Sequence, residues 1–318
     1  MELPHGLKCA IDNRLEGIKH YELYKDSNEL SIRYRNNNGS GKPLISDNNE
    51  ALAYSIVRMP ATFGSVYTAL NYALEITEIS PVSLMDVGSG TGAAAWAVNS
   101  LVDLKSITCF EQEDAMIEIG KSFMKGASLP LSGAEWIKHD VVNESIPKKA
   151  DLVIASYVLN EMKEEERMKV IEKLWNAANM MLLIVEPGTS ISFLNMIKTR
   201  DLLLKLGANI VAPCPHESKC EISLEEWCHF SCRIVRSIMH RKLKDGDLSY
   251  EDEKFTYIAV TREKYDVTYR RILRHPYVEK GKVTLDLCTK DGIKNVVISK
   301  REGNLYKRAR KAKWGDVI

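Results

Sequence analysis

Cys214, Cys220 and Cys228, with His216 and His229, crowd the nineteen residues APCPHESKCEISLEEWCHF (212–230). Thiolates and imidazoles are the soft ligands of zinc and, for thiolates, of iron–sulfur clusters. The spacing C-x5-C-x7-C is not that of a zinc knuckle, which brings its cysteines in close pairs. The nearest such pair is Cys228 and Cys232. A four-ligand site therefore needs a fourth donor from Cys232, His216, His229 or the distant Cys288 in LDLCTKDG. Spacing alone does not separate zinc from an iron–sulfur cluster, because four cysteines serve both.

Two other chemistries compete for these cysteines. Pro213-Cys214 has the form of the nucleophile in RNA cytosine-C5 methyltransferases, where a thiolate adds to the base. That reading leaves Cys220 and Cys228 without a role. A disulfide framework fits poorly with an odd total of seven cysteines in a chain expected to be cytoplasmic. Outside this stretch, Cys109 lies in a strand and is read as core, and Cys9 is read as a surface or helix residue.

A second constellation is MDVGSGTGAAAW (85–96): Asp86 followed by Gly88, Gly90 and Gly92. The glycines let the backbone turn tightly and approach a ligand. An acid at the head of the loop repels phosphate and attracts an amino or sulfonium group. S-adenosylmethionine (SAM) carries both cations and no phosphate. Glu111, 19 residues after Gly92 at the end of the next strand, is placed to hold ribose hydroxyls. Asp140 ends the third strand, where adenine is met. SYVLNEM (156–162) occupies the substrate-facing position. Asn160 and Glu161 could bind substrate or act as a weak base, and no residue is assigned as catalytic.

The elements that must position these groups alternate. VSLMDV (82–87), SITCFEQE (106–113), AEWIKHD (134–140), ADLVIASYVL (150–159), MMLLIVEPG (180–188) and FTYIAV (255–260) read as strands. Helical patterns separate them at 91–102, 114–125 and 163–179. This predicts a class I SAM-methyltransferase-like (Rossmann-like) α/β fold with a doubly wound sheet. Residues 1–35 read as helical, 35–50 as a polar linker, and 50–76 as two helical pieces broken near Pro60. In SLEEWCHFSCRIVRSIMHRKLK (223–244), the S-x-x-E box of Ser223 and Glu226 predicts a helix start. Cys228 would then lie near a helix N-terminus, whose dipole favours a thiolate. The tail holds β-rich KVTLDLC (282–288) and KNVVIS (294–299), then a short helix in 304–316. The expected units are an N-terminal helical region (1–80), a methyltransferase-like domain (81–262) with a cysteine-rich metal-binding insertion (206–244), and a small basic β-rich C-terminal module (263–318).

Charge separates the last unit from the rest. Residues 264–313 carry fifteen Lys/Arg against five acids, a local +10, so a chain of net +1 has −9 elsewhere. A basic module on an acidic body points to an anionic partner, above all a nucleic acid. The apolar runs are too short to span a bilayer, so no membrane is expected. The N-terminus has no apolar core of a secretory signal and carries acids unlike a transit peptide, so the chain is expected in the cytoplasm. A monomer is the simplest assembly.

The blocks YSIVRMPATFGSVY, DVGSGTGAAAWA, SYVLNEM, VEPGTS, APCPHESKC, WCHFSCRIVRSIMHR, YEDEKFTYIAV and RARKAKWGD together resemble the methyltransferase-like small-ribosomal-subunit assembly factors, a family with mitochondrial and bacterial members. The resemblance runs from about residue 50 to the end, and the first fifty residues take no part in it. It departs at KCEI, where the family often has Cys-Pro. It implies a role in small-subunit maturation through rRNA contact by 264–313, and a [4Fe–4S] cluster held by Cys214, Cys220, Cys228 and Cys288, with zinc as the alternative metal. Cys232 then becomes a spare beside the site. The competing function is a catalytically active SAM-dependent rRNA methyltransferase.

Overall fold

A computed structural model describes residues 1–36, 45–222 and 226–318. Three helices open the chain: α1 (His5–Leu15), α2 (His20–Asn36) and α3 (Asn48–Leu74). The alternating region follows as β1 (Ser83–Val87), α4 (Ala93–Asn99), β2 (Ser106–Glu111), α5 (Asp114–Met124), β3 (Glu135–Lys138), β4 (Ala150–Ser156), α6 (Glu164–Ala177), β5 (Ala178–Pro187), α7 (Ser190–Lys205) and β6 (Asn209–Ala212). Then come β7 (Phe230–Val235), α8 (Ile238–Leu243) and β8 (Tyr250–Thr261). The chain ends with β9 (Arg271–Ile272), β10 (Tyr277–Glu279), β11 (Lys282–Thr289), β12 (Gly292–Ser299) and α9 (Asn304–Lys311).

The main sheet runs β3-β2-β1-β4-β5-β8-β6, with β1 to β5 parallel and β8 antiparallel to its neighbours. This is the class I methyltransferase-like, Rossmann-like arrangement the strand–helix alternation implied. Strand residues alternate between two buried faces, as a sheet covered on both sides requires. Leu84, Leu152, Ile154, Leu183 and Val185 face the layer that includes α3 and α4. Met85, Val87, Val153, Leu182 and Ile184 face Val170, Ile171, Leu174 and Trp175 of α6 and Met196 and Leu203 of α7.

Three local expectations are corrected. First, α3 is continuous through Pro60. Proline withholds one N–H from the ladder, but Ile56, Met59, Ala61 and Phe63 around it are buried, and that packing holds the helix together. Second, 223–244 is not one helix. Ser223 lies outside the described residues, Glu226 is not helical, and Phe230–Val235 form β7 paired antiparallel with β8. Phe230, Cys232 and Ile234 are buried while Ser231, Arg233 and Val235 are not, which is strand alternation. Third, the helix that follows is only α8, capped by Ser237, whose hydroxyl accepts from His240 N at 3.0 Å. Cys228 therefore stands at no helix N-terminus. Cys232 faces α3 instead: a Cβ on Gly64 would sit 3.0 Å from its sulfur.

β6 and β7 share one edge of β8: β6 pairs with residues 259–261 and β7 with 250–255. The cysteine loop is the connection between them. A smaller antiparallel sheet, β10-β11-β12 with β9 on β11, carries α9 on one face over Val283, Leu285, Leu287 and Ile298.

Glycine matters sharply at Gly120 in α5. A Cβ there would overlap the six-membered ring of Trp136, which also closes on Gly92. Gly120→Ala is expected to cost about 1–3 kcal/mol through overpacking, read as a lowered Tm with an unchanged far-UV spectrum.

Candidate cofactor cleft and cysteine pocket

The glycine loop joins β1 to α4 at the carboxyl end of the parallel strands, the end where open α/β sheets take their ligands. Gly88, Gly90 and Gly92 have φ of 68°, 54° and 87°, the left-handed region that favours glycine. Val158 packs directly against Gly88, leaving no room for a Cβ. Asp86, near the end of β1, is fully buried; its carboxylate faces the Ala95 backbone N–H of α4 but makes no well-formed hydrogen bond among the described residues. Burial pushes its carboxyl up to about 7 against the opposing Ala95 N–H, with Glu111 nearby adding to the rise. A buried acid so poorly bonded costs folding free energy unless a ligand meets it.

Glu111 is clamped to the loop it serves. Its Oε2 accepts from Gly90 N at 2.7 Å, and its Oε1 from Gln112 N and Glu113 N at 2.8 and 3.1 Å. Asp140 follows β3 and is more exposed. Its Oδ1 accepts from Val142 N and Asn143 N, and Asn143 Nδ2 donates to Oδ2. Burial is the largest single influence and raises the carboxyl, but these bonds to the ionised form together outweigh it and hold it low.

The structure adds Glu186 and Tyr157, which the sequence did not single out, beside Glu161, which it did. Glu186, at the end of β5, is buried and accepts from Leu159 N and Asn160 N at 3.0 and 3.2 Å. Burial pushes its carboxyl up to about 8 despite those bonds. Glu161, in the short turn after β4, is exposed at its surface yet surrounded by protein. That surround, with Glu111 and Glu113, raises it to about 8. Tyr157 has a φ of 59°, strained for a bulky residue. Its hydroxyl donates to Glu253 Oε1 at 2.9 Å and lies 3.1 Å from Ser65 Oγ. Arg58 pairs with the same carboxylate at 3.4 Å and covers the Tyr157 ring. No sequence signal announces this network, because its members come from α3, the end of β4 and β8.

The second site lies under the β6–β7 connection. Cys214, Cys220, Cys228 and Cys288 line one pocket with Pro213, Ile222, Phe230, Tyr257, Ile258 and Leu273, a mainly apolar wall. Cys288 Sγ is 3.5 Å from His216 Nε2. Burial, reinforced by the neighbouring thiols, raises Cys214 and Cys228 and pushes Cys288 up to about 12. Among the described residues, no three His, Cys, Asp or Glu side chains converge tightly enough to hold a single ion. Of the other candidate ligands, His229 stacks on Trp227 and meets Trp314 edge-on, outside this lining.

Two guanidinium groups back the pocket. Arg200 donates through Nη2 to His216 O and Ser218 O at 3.1 and 2.7 Å. Arg271 donates through Nε to Pro213 O at 3.2 Å and through Nη1 to Gly315 O at 2.8 Å. It lies against the rings of Tyr72 and Tyr269 and is completely buried.

A family model described as mitochondrial small ribosomal subunit Rsm22 matches residues 48–318. The chain belongs to this family. Among curated relatives in the Rsm22 group, the human mitochondrial ribosome assembly protein METTL17 is 28% identical over 290 residues, covering 84% of this chain and 62% of that protein. The mitochondrial Rsm22-cox11 tandem protein 2 of Schizosaccharomyces pombe is 26% identical over 323 residues, covering 85% of this chain and 43% of that one. The chain thus spans less than two thirds of either relative. Among solved structures, magnesium protoporphyrin IX methyltransferase from Synechocystis PCC 6803 with bound SAM is 12% identical with a TM-score of 0.42, over 78% of this chain and 99% of that one. The plantazolicin methyltransferase BpumL is 15% identical with a TM-score of 0.41, over 80% and 99%.

The expected cytoplasmic location is overturned by these relatives, which are mitochondrial, as is the protein the family is described by. Acids among the first bases argued against a transit peptide, but composition there is a weaker guide than the relatives' compartment. No helix among the described residues is long and apolar enough to cross a membrane.

Proposed function

We propose that this chain is a SAM-binding, methyltransferase-fold factor with an iron–sulfur cluster on Cys214, Cys220, Cys228 and Cys288, which binds small-subunit rRNA through residues 264–313 and assists small-subunit assembly. The observation that carries the reading is the gathering of four thiols, from the β6–β7 connection and from β11, around one apolar pocket. Membership of the Rsm22 family and the naming of METTL17 as a ribosome assembly protein support the ribosomal role. The partner is then the small subunit of the relatives' compartment.

The donor set fits such a cluster, since thiolates are its usual ligands and the buried Arg200 and Arg271 offset their charge. When bound, the cluster supplies cross-linking of the loop to the C-terminal sheet. In the cleft, the buried, poorly bonded carboxylate of Asp86 fits the cationic groups of SAM. Gly88, Gly90 and Gly92 let the backbone approach it, Glu111 is held ready for ribose hydroxyls, and Asp140 lies toward the adenine side. Burial raises the Cys214 thiol, the reverse of what an attacking thiolate needs, so no methyl-transfer step is assigned to it.

The test is iron, sulfide and zinc analysis with a visible spectrum on anaerobically purified full chain. The expected result is brown protein with about four iron and four sulfide per chain, bleached by Ser at each of the four cysteines and unaffected by Cys109→Ser. Stoichiometric zinc, or no metal at all, sinks the cluster assignment.

A further inference from the structure

The C-terminal sheet has two faces of different character. One is covered by α9, through Tyr306 and Ala309. On the other, the register aligns Tyr277, Thr284 and Val297 in one row across β10, β11 and β12. Alternation puts the whole row opposite the α9-covered Val283, Leu285 and Ile298. Tyr277 is 65% exposed and Val297 55% exposed. At its far end the same face closes: Cys288 pairs with Ile293, and Glu221 of the cysteine loop accepts from Ile293 N at 3.0 Å. The Asp286–Asn295 pair, bonded at 2.7 Å, separates the open row from that end of the sheet.

A cationic rim borders this row. Lys280 lies in the turn between β10 and β11, and Lys300 N donates to Gly281 O at 2.8 Å, bringing the end of β12 beside that turn. Lys280, Lys300 and Arg301 are exposed and make no ion pair among the described residues. Lys282 on the neighbouring row pairs with Glu279 at 2.9 Å.

We propose that the Tyr277–Thr284–Val297 row is a stacking platform for single-stranded RNA bases, with the Lys280–Lys300–Arg301 rim holding the adjoining phosphates. This rests on the rRNA-binding reading above and assigns its base contacts to the open sheet face rather than to basic α9. An aromatic on an antiparallel sheet face stacks unpaired bases, whereas a duplex hides them. Phosphates follow the rim because each neutralised phosphate releases counterions. The lysines and arginines of α9, on the opposite side, are left for phosphates alone.

The test is fluorescence anisotropy of the metal-loaded full chain with labelled oligouridylate and oligoadenylate of about 12 nucleotides, and with their duplex, from about 50 to 200 mM salt. Tyr277→Ala is expected to weaken single-strand binding about 5- to 150-fold, with the salt slope and Tm unchanged. Tyr277→Trp should restore binding, and Val297→Asp should reproduce the loss from the neighbouring strand. Lys307→Ala with Arg308→Ala should instead flatten the salt slope. Single-strand affinity within twofold of wild type for both Tyr277→Ala and Val297→Asp overturns the platform while leaving rRNA binding standing, as does an equal loss on duplex. A wild-type chain that binds neither strand nor duplex at low salt removes the underlying reading and the platform with it.

Discussion

Asp86→Asn is expected to stabilise the ligand-free protein and to cripple its cleft. The native carboxyl titrates near 7 because it is buried, against about 3.9 in an unfolded chain. The folded state therefore holds the proton more tightly, so this group's contribution to stability is complete below about pH 4 and is lost as pH rises through 7. Asparagine removes that loss, on the order of a few kcal/mol at pH 8. Thermal melts should show the variant well above wild type at pH 8, with the gap narrowing through pH 5 and closing near pH 4. Glu186, raised in the same direction, keeps part of the slope in both proteins. Calorimetric titration with SAM should show the opposite sign: affinity reduced about 10- to 150-fold, as for a lost bond to a charged group. SAM affinity equal to wild type would mean that Asp86 faces no cationic ligand.

Arg271→Ala should release the C-terminal end of the chain. The guanidinium is bonded to Pro213 O at the end of the main sheet and to Gly315 O in the final segment. Backbone at the same residue bridges to Val317 and registers β9 against Cys288 of β11. Alanine strands the buried Gly315 carbonyl at about 1–3 kcal/mol, leaves Pro213 O with only the 3.2 Å bond from the Tyr269 hydroxyl, and opens a void between Tyr72 and Tyr269. A total of about 2–5 kcal/mol is expected, the cavity left by the large side chain adding to the lost bond. Limited proteolysis should cut after residue 262 well before the rest of the chain, and metal content should fall with it. Wild-type protease resistance would show that the C-terminal sheet is held by other contacts. Arg271→Lys tests geometry, since one ammonium cannot span both carbonyls as the planar fork does.

Much of the cleft was legible because its signals are local. A short apolar strand, glycines at 88, 90 and 92, and an alanine-rich helix specify their turn within a dozen residues, and Glu111 follows at the end of the next strand. The region after the cysteines was misread because its local signal was false. Ser223 and Glu226 spell a helix cap, but the open edge of β8 offers Phe230–Val235 a ladder of backbone bonds that outweighs it. The alternation of Phe230, Cys232 and Ile234 was the available clue. Pro60 failed for the related reason that burial overrode propensity. Arg271, Glu186 and the Arg58–Glu253–Tyr157 network could not be found in the sequence, since their roles come from partners brought together only by folding.

The shared edge of β8 has a consequence for the cysteine loop. Strands cover that edge at 250–255 and at 259–261, and the interval at 256–258 is left to the cysteine loop. An uncovered strand edge is a template on which another chain can add its own strand. Thr256, Tyr257 and Ile258 line the cysteine pocket instead, so this short unpaired stretch is where the cysteine loop meets the main sheet, between two strands that are themselves held in register on the same edge.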